Sequence, residues 1–273
     1  MILLVNAPAP LEAAFREQGR QVTNFALKGG RYSMHSLLEG QSPGLFMQAE
    51  SLGTRVFITG LEHSPCPTLF WAIDSHLNLF WQRWYSMLFD LVLTPHPSLF
   101  QPLPQSCRPK DVRLMAWFGQ KRSWTPHRQR AHALAFCGRL TEHRPIRSLL
   151  VELLEPEGLH LEKDISFEAM MSMYDQSRVA PNEAIAMESN FRLLEAASSG
   201  CLLLSQDVGD DQNCLLQPGK EFLIYHDGLE LLDQVRWAAS RPEAAEAMGL
   251  AAMRRIQAEH LPRHRARMIL DLA

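Results

Sequence analysis

Several things are missing from the sequence, and each absence removes a class of protein. No run approaches 18 consecutive apolar residues, so no segment reads as a membrane span. The opening MILLVNAPAP has neither the basic flank nor the small-residue cleavage site of a secretory signal. A soluble, cytoplasmic protein is expected. The five cysteines, Cys66, Cys107, Cys137, Cys201 and Cys214, are odd in number, widely spaced and without a C-x-x-C pair. That spacing disfavours both a disulfide framework and a zinc site, and they are expected to be small buried hydrophobes. No G-x-G-x-x-G follows the first apolar run, and no G-x-x-x-x-G-K-[ST] occurs anywhere. A nicotinamide-dependent oxidoreductase and a P-loop enzyme both lose ground. The G-x-S-x-G elbow and the H-E-x-x-H zinc motif are missing too.

What is present is an ordinary globular composition in 273 residues, 46% apolar and 21% charged, enough to bury a sizeable core in two domains. The net charge of -3 conceals a block structure. Residues 108–147 carry 10 basic and 2 acidic side chains, whereas residues 148–250 carry 6 and 19. A long acidic stretch behind a short basic belt does not make the broad positive face of a nucleic-acid binder. The belt suits a local anion, or else it is a solvated connection between domains.

Short apolar runs alternate with helical stretches, the pattern of βαβ units and a mostly parallel sheet. In the first half, strands are expected at 2–5, 21–27, 55–59, 68–73 and 91–94, with helices at 11–18 and 77–88. The stretch 95–130 is rich in proline and arginine and reads as a linker. The pattern then restarts, with strands at 133–137, 177–181, 201–205 and 222–225 and helices at 146–154, 167–176, 190–198, 229–239 and 242–259. A last helix begins near Pro262. The expected organisation is therefore a first Rossmann-like domain over 1–125, a second over 126–255, and a C-terminal helix over 256–273. Ligands of open α/β sheets sit at the carboxyl ends of the strands.

The segment SNFRLLEAASSGCLLLS, from Ser189, is the most informative. Ser189 or Asn190 suits a helix N-cap, where free backbone N–H groups and the macrodipole favour a phosphate. Arg192 stands in the first turn, against the dipole preference, which an anion nearby would explain. Glu195, three residues on, shares its face and is able to accept hydrogen bonds from ribose hydroxyls. The alternative is an exposed Arg–Glu pair worth roughly 0.2–0.5 kcal/mol. In the first half, Asp74 ends an expected strand and His76 follows at the mouth of a helix. Either suits a general base or, alternatively, a helix cap and a buried histidine. Glu62 and His63 are weaker candidates of the same kind. The aromatic stripe Phe80, Trp81, Trp84, Tyr85 and Phe89 is expected to be core, part of it serving instead as an acceptor or partner surface.

NFRLLEAASSGCLLLS, followed by PGKEFLIY and HLPRHRARMIL, resembles the C-terminal half of group 1 glycosyltransferases of the spore-maturation (CgeB-like) branch. ALAFCGRL, MYDQSRVAPNEA and TLFWAIDSHLN with FDLVLTP are similar to further elements of that branch, so the resemblance spans roughly residues 66–270. It implies a GT-B architecture of two facing Rossmann-like domains with a cleft between them. It also implies sugar transfer from a nucleotide-diphosphate donor to a hydroxyl of a glycan, protein or surface polymer, with no metal and no cofactor beyond the nucleotide-sugar co-substrate. Carried over, Glu195 would hold the ribose, and Ser189, Asn190 and Arg192 would lie near the diphosphate or sugar. Gly138 and Arg139, with Arg144 or Arg147, would complete the anion site, and Asn182 would touch base or sugar. Asp74 and His76 are the catalytic candidates of the first domain, either being suited to deprotonate an acceptor hydroxyl. Related retaining enzymes have a second glutamate eight positions before the ribose-binding one, where this chain has Met187, with Glu188 beside it. The alternative function is a non-catalytic glycosyltransferase-like module that binds nucleotide or glycan.

Overall fold

The computed structural model describes residues 1–51, 53–184 and 189–272. The chain forms two compact units: Met1–Trp117 with Pro262–Ala273, and Phe118–Leu261. The sequence divides at 125 and 255 on its composition; the units divide at 117 and 261, and the last helix belongs to the first of them.

Unit 1 is built on β1 (Ile2–Val5), α1 (Ala9–Glu17), β2 (Val22–Phe25), β3 (Gly30–Ser33), α2 (Met34–Leu38), β4 (Leu45–Ala49), β5 (Val56–Thr59), β6 (Thr68–Trp71), α3 (Ser75–Tyr85), β7 (Leu91–Thr94) and β8 (Val112–Leu114). Six strands make one sheet in the order β2-β1-β4-β6-β7-β8, parallel throughout. The inner strands ILLV, LFMQA and TLFW are buried at every position, as a parallel sheet covered on both faces requires. The strand expected at 55–59 forms, but it pairs with β3 in a separate two-stranded sheet. Its expected place is taken by β4, which sequence reading misses because LFMQA contains no β-branched residue and includes a glutamine. Gln48 is buried without penalty: its amide donates to the Val56 carbonyl at 2.9 Å and accepts from the Tyr85 hydroxyl at 2.7 Å.

The aromatic stripe of α3 splits. Trp81, Tyr85 and Phe89 pack on Phe57 and Phe70 in the core, whereas Phe80 and Trp84 are exposed. The cysteines depart in the same partial way from the expected burial. All five are free; Cys107, Cys137 and Cys201 are buried, Cys66 is half-buried and Cys214 is exposed.

Unit 2 contains β9 (His132–Cys137), α4 (Pro145–Leu154), β10 (Leu159–Glu162), α5 (Phe167–Asp175), β11 (Ser177–Asn182), α6 (Phe191–Ser198), β12 (Leu202–Gln206), α7 (Asp210–Asn213), β13 (Phe222–Tyr225), α8 (Gly228–Ser240) and α9 (Pro242–Glu259). Its parallel sheet runs β10-β9-β11-β12-β13. Leu134, Phe136, Val179, Leu202 and Leu204 meet Leu150, Leu154, Leu231 and Val235 in its core. The final helix, α10 (Pro262–Leu272), packs on α1 of unit 1. There the buried Arg265 donates to the carbonyls of Ala116 and Trp117 at 3.0 and 2.9 Å, and Gln18 donates to the Arg263 carbonyl. Burial pulls the Arg265 guanidinium down to about 10.

Candidate functional site

In unit 2 the chain steps from β9 outward to β10, then back across to β11 on the other side. The crossovers on the two sides of β9 and β11 run in opposite directions, so a crevice opens at their carboxyl ends, the usual ligand position in such sheets. A proline sharpens it. Pairing between β9 and β11 stops at Val179↔Leu134, two residues before Pro181, which has no N–H to continue the ladder. On its other side β11 stays paired with β12 as far as Asn182↔Ser205.

Two guanidinium groups converge here. Arg192, from the first turn of α6, donates to the Asn182 side-chain oxygen at 3.1 Å and to the Cys137 carbonyl at 3.0 Å, and lies 4.4 Å from the centre of the Phe136 ring. Arg147, on α4, is 5.7 Å from the same ring. It is buried and ion-paired with the equally buried Glu183 at 2.8 Å, and it donates to the Arg139 carbonyl at 3.2 Å. Burial, then the neighbouring charge of Arg192, pushes the Arg147 guanidinium below its ordinary range. Gly138 is forced by this convergence. A Cβ there would stand 3.0 Å from Phe136, 3.1 Å from Arg192 and 3.2 Å from Arg147.

Asn182 is buried, its nitrogen donating to Ser205 at 2.9 Å while its oxygen holds Arg192. Its side chain therefore positions Arg192. Arg139 stays at the surface, facing the exposed Asp164 at 3.4 Å, and does not join the pair. Arg144 is half-buried at the N-cap of α4. Glu183, which neutralises Arg147, went unnoticed in the sequence. Its signal was its place two residues beyond an expected strand end.

The N-terminus of α6 lies against this group. Asn190 occupies the N-cap in extended conformation, yet its side chain does not cap the helix. Its amide nitrogen donates instead to the Glu183 carbonyl at 2.8 Å. The Asn190 side-chain oxygen and the Ser189 hydroxyl are buried and, among the described residues, have no hydrogen-bond partner. Unmade hydrogen bonds of this kind are costly in a finished interior and are common where a ligand supplies the partner. Glu195 is not the exposed ion pair that its spacing allows. It is largely buried, accepts no hydrogen bond among the described residues, and burial, opposed by Arg192, raises its carboxyl to about 7. Met187 and Glu188 lie outside the described residues.

Unit 1 places Asp74 and His76 at the carboxyl side of β6, where α3 begins. Asp74 is the N-cap of α3 but its side chain makes no cap hydrogen bond. His76 meets the ring of His96 edge-on, 5.9 Å between centres. The residue that organises this end is Glu50, just past β4 and also unnoticed in the sequence. One of its oxygens accepts from the backbone N–H groups of Ile73 and Asp74, both at 2.7 Å, and the other from the Asn78 amide at 2.8 Å. Burial nevertheless raises its carboxyl above the ordinary range. Glu62 and His63 form a loose surface contact at 3.9 Å.

No curated protein matches the chain in sequence. Among solved structures it is similar to the sucrose-phosphate synthase of Thermosynechococcus elongatus, with 12% identity, a TM-score of 0.62, and coverage of 99% of this chain and 97% of that one. It is similar to the TarM protein of S. aureus, solved with fondaparinux, α-GlcNAc-glycerol and UDP, with 10% identity, a TM-score of 0.63 and coverage of 87% and 57%. The pneumococcal O-GlcNAc transferase GtfA, solved with UDP and GlcNAc, gives 12%, 0.53, and coverage of 84% and 56%. The chain thus spans little more than half the length of the last two. These likenesses establish a fold of the GT-B type, made of two Rossmann-like units. A family model described as glycosyl transferase-like matches residues 128–271, which holds every residue of the arginine crevice, and the chain therefore belongs to the glycosyl transferase-like family.

Proposed function

We propose that the protein transfers a sugar from a nucleoside-diphosphate donor to a hydroxyl of a glycan, protein or surface polymer, in the cytoplasm, and that it belongs to the CgeB-like branch. One observation carries this reading: Arg192, fixed by Asn182 and Phe136 with no carboxylate bonded to it among the described residues, stands beside a helix N-terminus whose Ser189 and Asn190 oxygens are buried and unpartnered. Such a group suits a diphosphate, because charge that grows on the leaving nucleotide meets donors already in place. Arg144 adds a second positive group at the N-terminus of α4. Arg147 acts at one remove, since Glu183 already neutralises it. Charge stabilisation by arginine and backbone amides, without a metal, is part of the proposal. Glu195 receives the ribose hydroxyls, and Asp74 or His76 removes the proton from the acceptor.

A thermal-shift panel of UDP-, GDP-, ADP- and TDP-sugars tests the donor site. Ligand at about 100 times its Kd adds roughly 2.7 kcal/mol of stability. One nucleotide should raise the melting temperature by a few degrees in the wild type and not in Arg192→Ala or Glu195→Ala. The same nucleotide should release free sugar slowly when its sugar ester is incubated with the enzyme, with or without EDTA. Absence of binding by all four overturns the reading, and binding without any sugar release replaces the enzyme with a binding module.

A further inference from the structure

The surface of unit 1 carries a feature that donor binding does not use. Along α3 and the short 3-10 turn that follows it, Leu77, Phe80, Trp84 and Leu88 are exposed to 59%, 57%, 55% and 45%, with Met87 beside them at 37%. The spacing i, i+3, i+7, i+11 puts them on one helical face. This face adjoins, about 100° round the helix, the one by which Trp81, Tyr85 and Phe89 pack on the core. Solvent-exposed large apolar side chains scattered singly are normal; a contiguous row of five is not.

Within the helical segment itself the charge has one sign. Residues 75–89 contain no aspartate or glutamate. The Arg55 guanidinium lies over the Phe80 ring at 5.0 Å and that of Arg83 over the Trp84 ring at 4.9 Å, so both cations stand at the level of the aromatic rings. Asp90, just past the segment, is exposed, and one of its oxygens accepts from the backbone N–H and the hydroxyl of Thr68. Near Leu88, Glu62 faces the same hollow as Arg31. Among the described residues no helix is long and apolar enough to cross a membrane.

We propose that this face of α3 docks on an anionic membrane surface, lying flat at the headgroup level with its apolar row in the acyl boundary. Tryptophan and phenylalanine flanked by arginine, with no acidic residue among them, is the composition of a helix that rests in that interface. Arginine whose stem covers an aromatic ring can leave its charge among lipid phosphates while the ring enters the apolar layer. Anionic headgroups add the attraction that acidic side chains would cancel.

Vesicle co-sedimentation of the whole protein tests this, with phosphatidylcholine alone and with phosphatidylcholine containing about 30% phosphatidylglycerol. Binding is expected to the anionic vesicles, weakened several-fold by raised salt. It should fall about ten-fold or more in Phe80→Ser/Trp84→Ser, and comparably in Arg55→Glu/Arg83→Gln, which leaves every apolar residue in place. Both variants should melt within about 2 °C of the wild type. Absence of binding to anionic vesicles overturns the proposal, as does binding that survives both double substitutions. A dimer in sedimentation equilibrium that Phe80→Ser/Trp84→Ser dissolves, without vesicle binding, assigns the face to a second copy of the chain and also overturns it. The vesicle assay contains no nucleotide, so its result stands apart from the thermal-shift panel.

Discussion

The two units lay down their first strands in the same spatial order, second, first, third, fourth, fifth, yet furnish the crevice at the turning point with opposite charge. In unit 2 the positions just beyond β9 and β11 gather Arg147, Arg192 and one neutralising glutamate. In unit 1 the corresponding position beyond β4 is a single buried carboxylate, Glu50, that collects two backbone N–H groups and an amide. The scaffold therefore does not decide the chemistry of its own crevice. A few residues at strand ends do, one unit gathering two arginines there and the other a buried carboxylate.

That contrast can be broken in either unit. The largest effect is expected from Glu183→Ala, which leaves Arg147 buried without its partner and should cost about 3–5 kcal/mol in urea unfolding. Replacing both, Arg147→Met with Glu183→Leu, should restore most of that loss; if it does not, the pair does more than neutralise itself. Next comes Glu195→Gln. Below the ordinary carboxylate range Glu195 is protonated folded and unfolded, and it costs nothing. As pH rises toward 7 the unfolded chain ionises it first, and above 7 the folded protein must hold the buried charge. Glutamine should thus stabilise by about 2–3 kcal/mol at pH 8.5 and by nothing at pH 4; a pH-independent gain would show that the carboxyl is not buried in solution. In unit 1, Glu50→Gln removes one acceptor of the three hydrogen bonds and should cost about 1–3 kcal/mol while leaving nucleotide thermal shifts unchanged. Gly138→Ala should cost about 1–2 kcal/mol, since its methyl group pushes on both arginines. Unlike the change at Glu50, it should reduce the nucleotide shift.

How much of this was legible depended on where the decisive physics was local. The helix at α6 announced itself through its cap position, its apolar period and Gly200, which adopts φ 72 just past the helix end. The oddity of a cation in its first turn pointed to Arg192. Arg139, chosen from the same resemblance, proved to be a surface residue, because a side chain next to a strand end has a choice of two faces and sequence does not reveal which it takes. Glu183 and Glu50 were missed for a different reason. Each is a lone acidic residue whose meaning comes from what is folded around it, an arginine thirty-six positions away in one case and two N–H groups from a different βα turn in the other. The strand β4 was hidden by its composition, Met and Gln being acceptable in a central strand only once Val56 and Tyr85 arrive to satisfy the amide.

The return of α10 to unit 1 sets an order of events in synthesis. The unit that is begun first is finished last, for the flank of α1 and the carbonyls of Ala116 and Trp117 wait for Arg265 until every residue of unit 2 has left the ribosome. A nascent chain paused at residue 261 would hold a complete second unit and an open first one, and chaperones that bind exposed apolar surface would find their target at the older end of the protein.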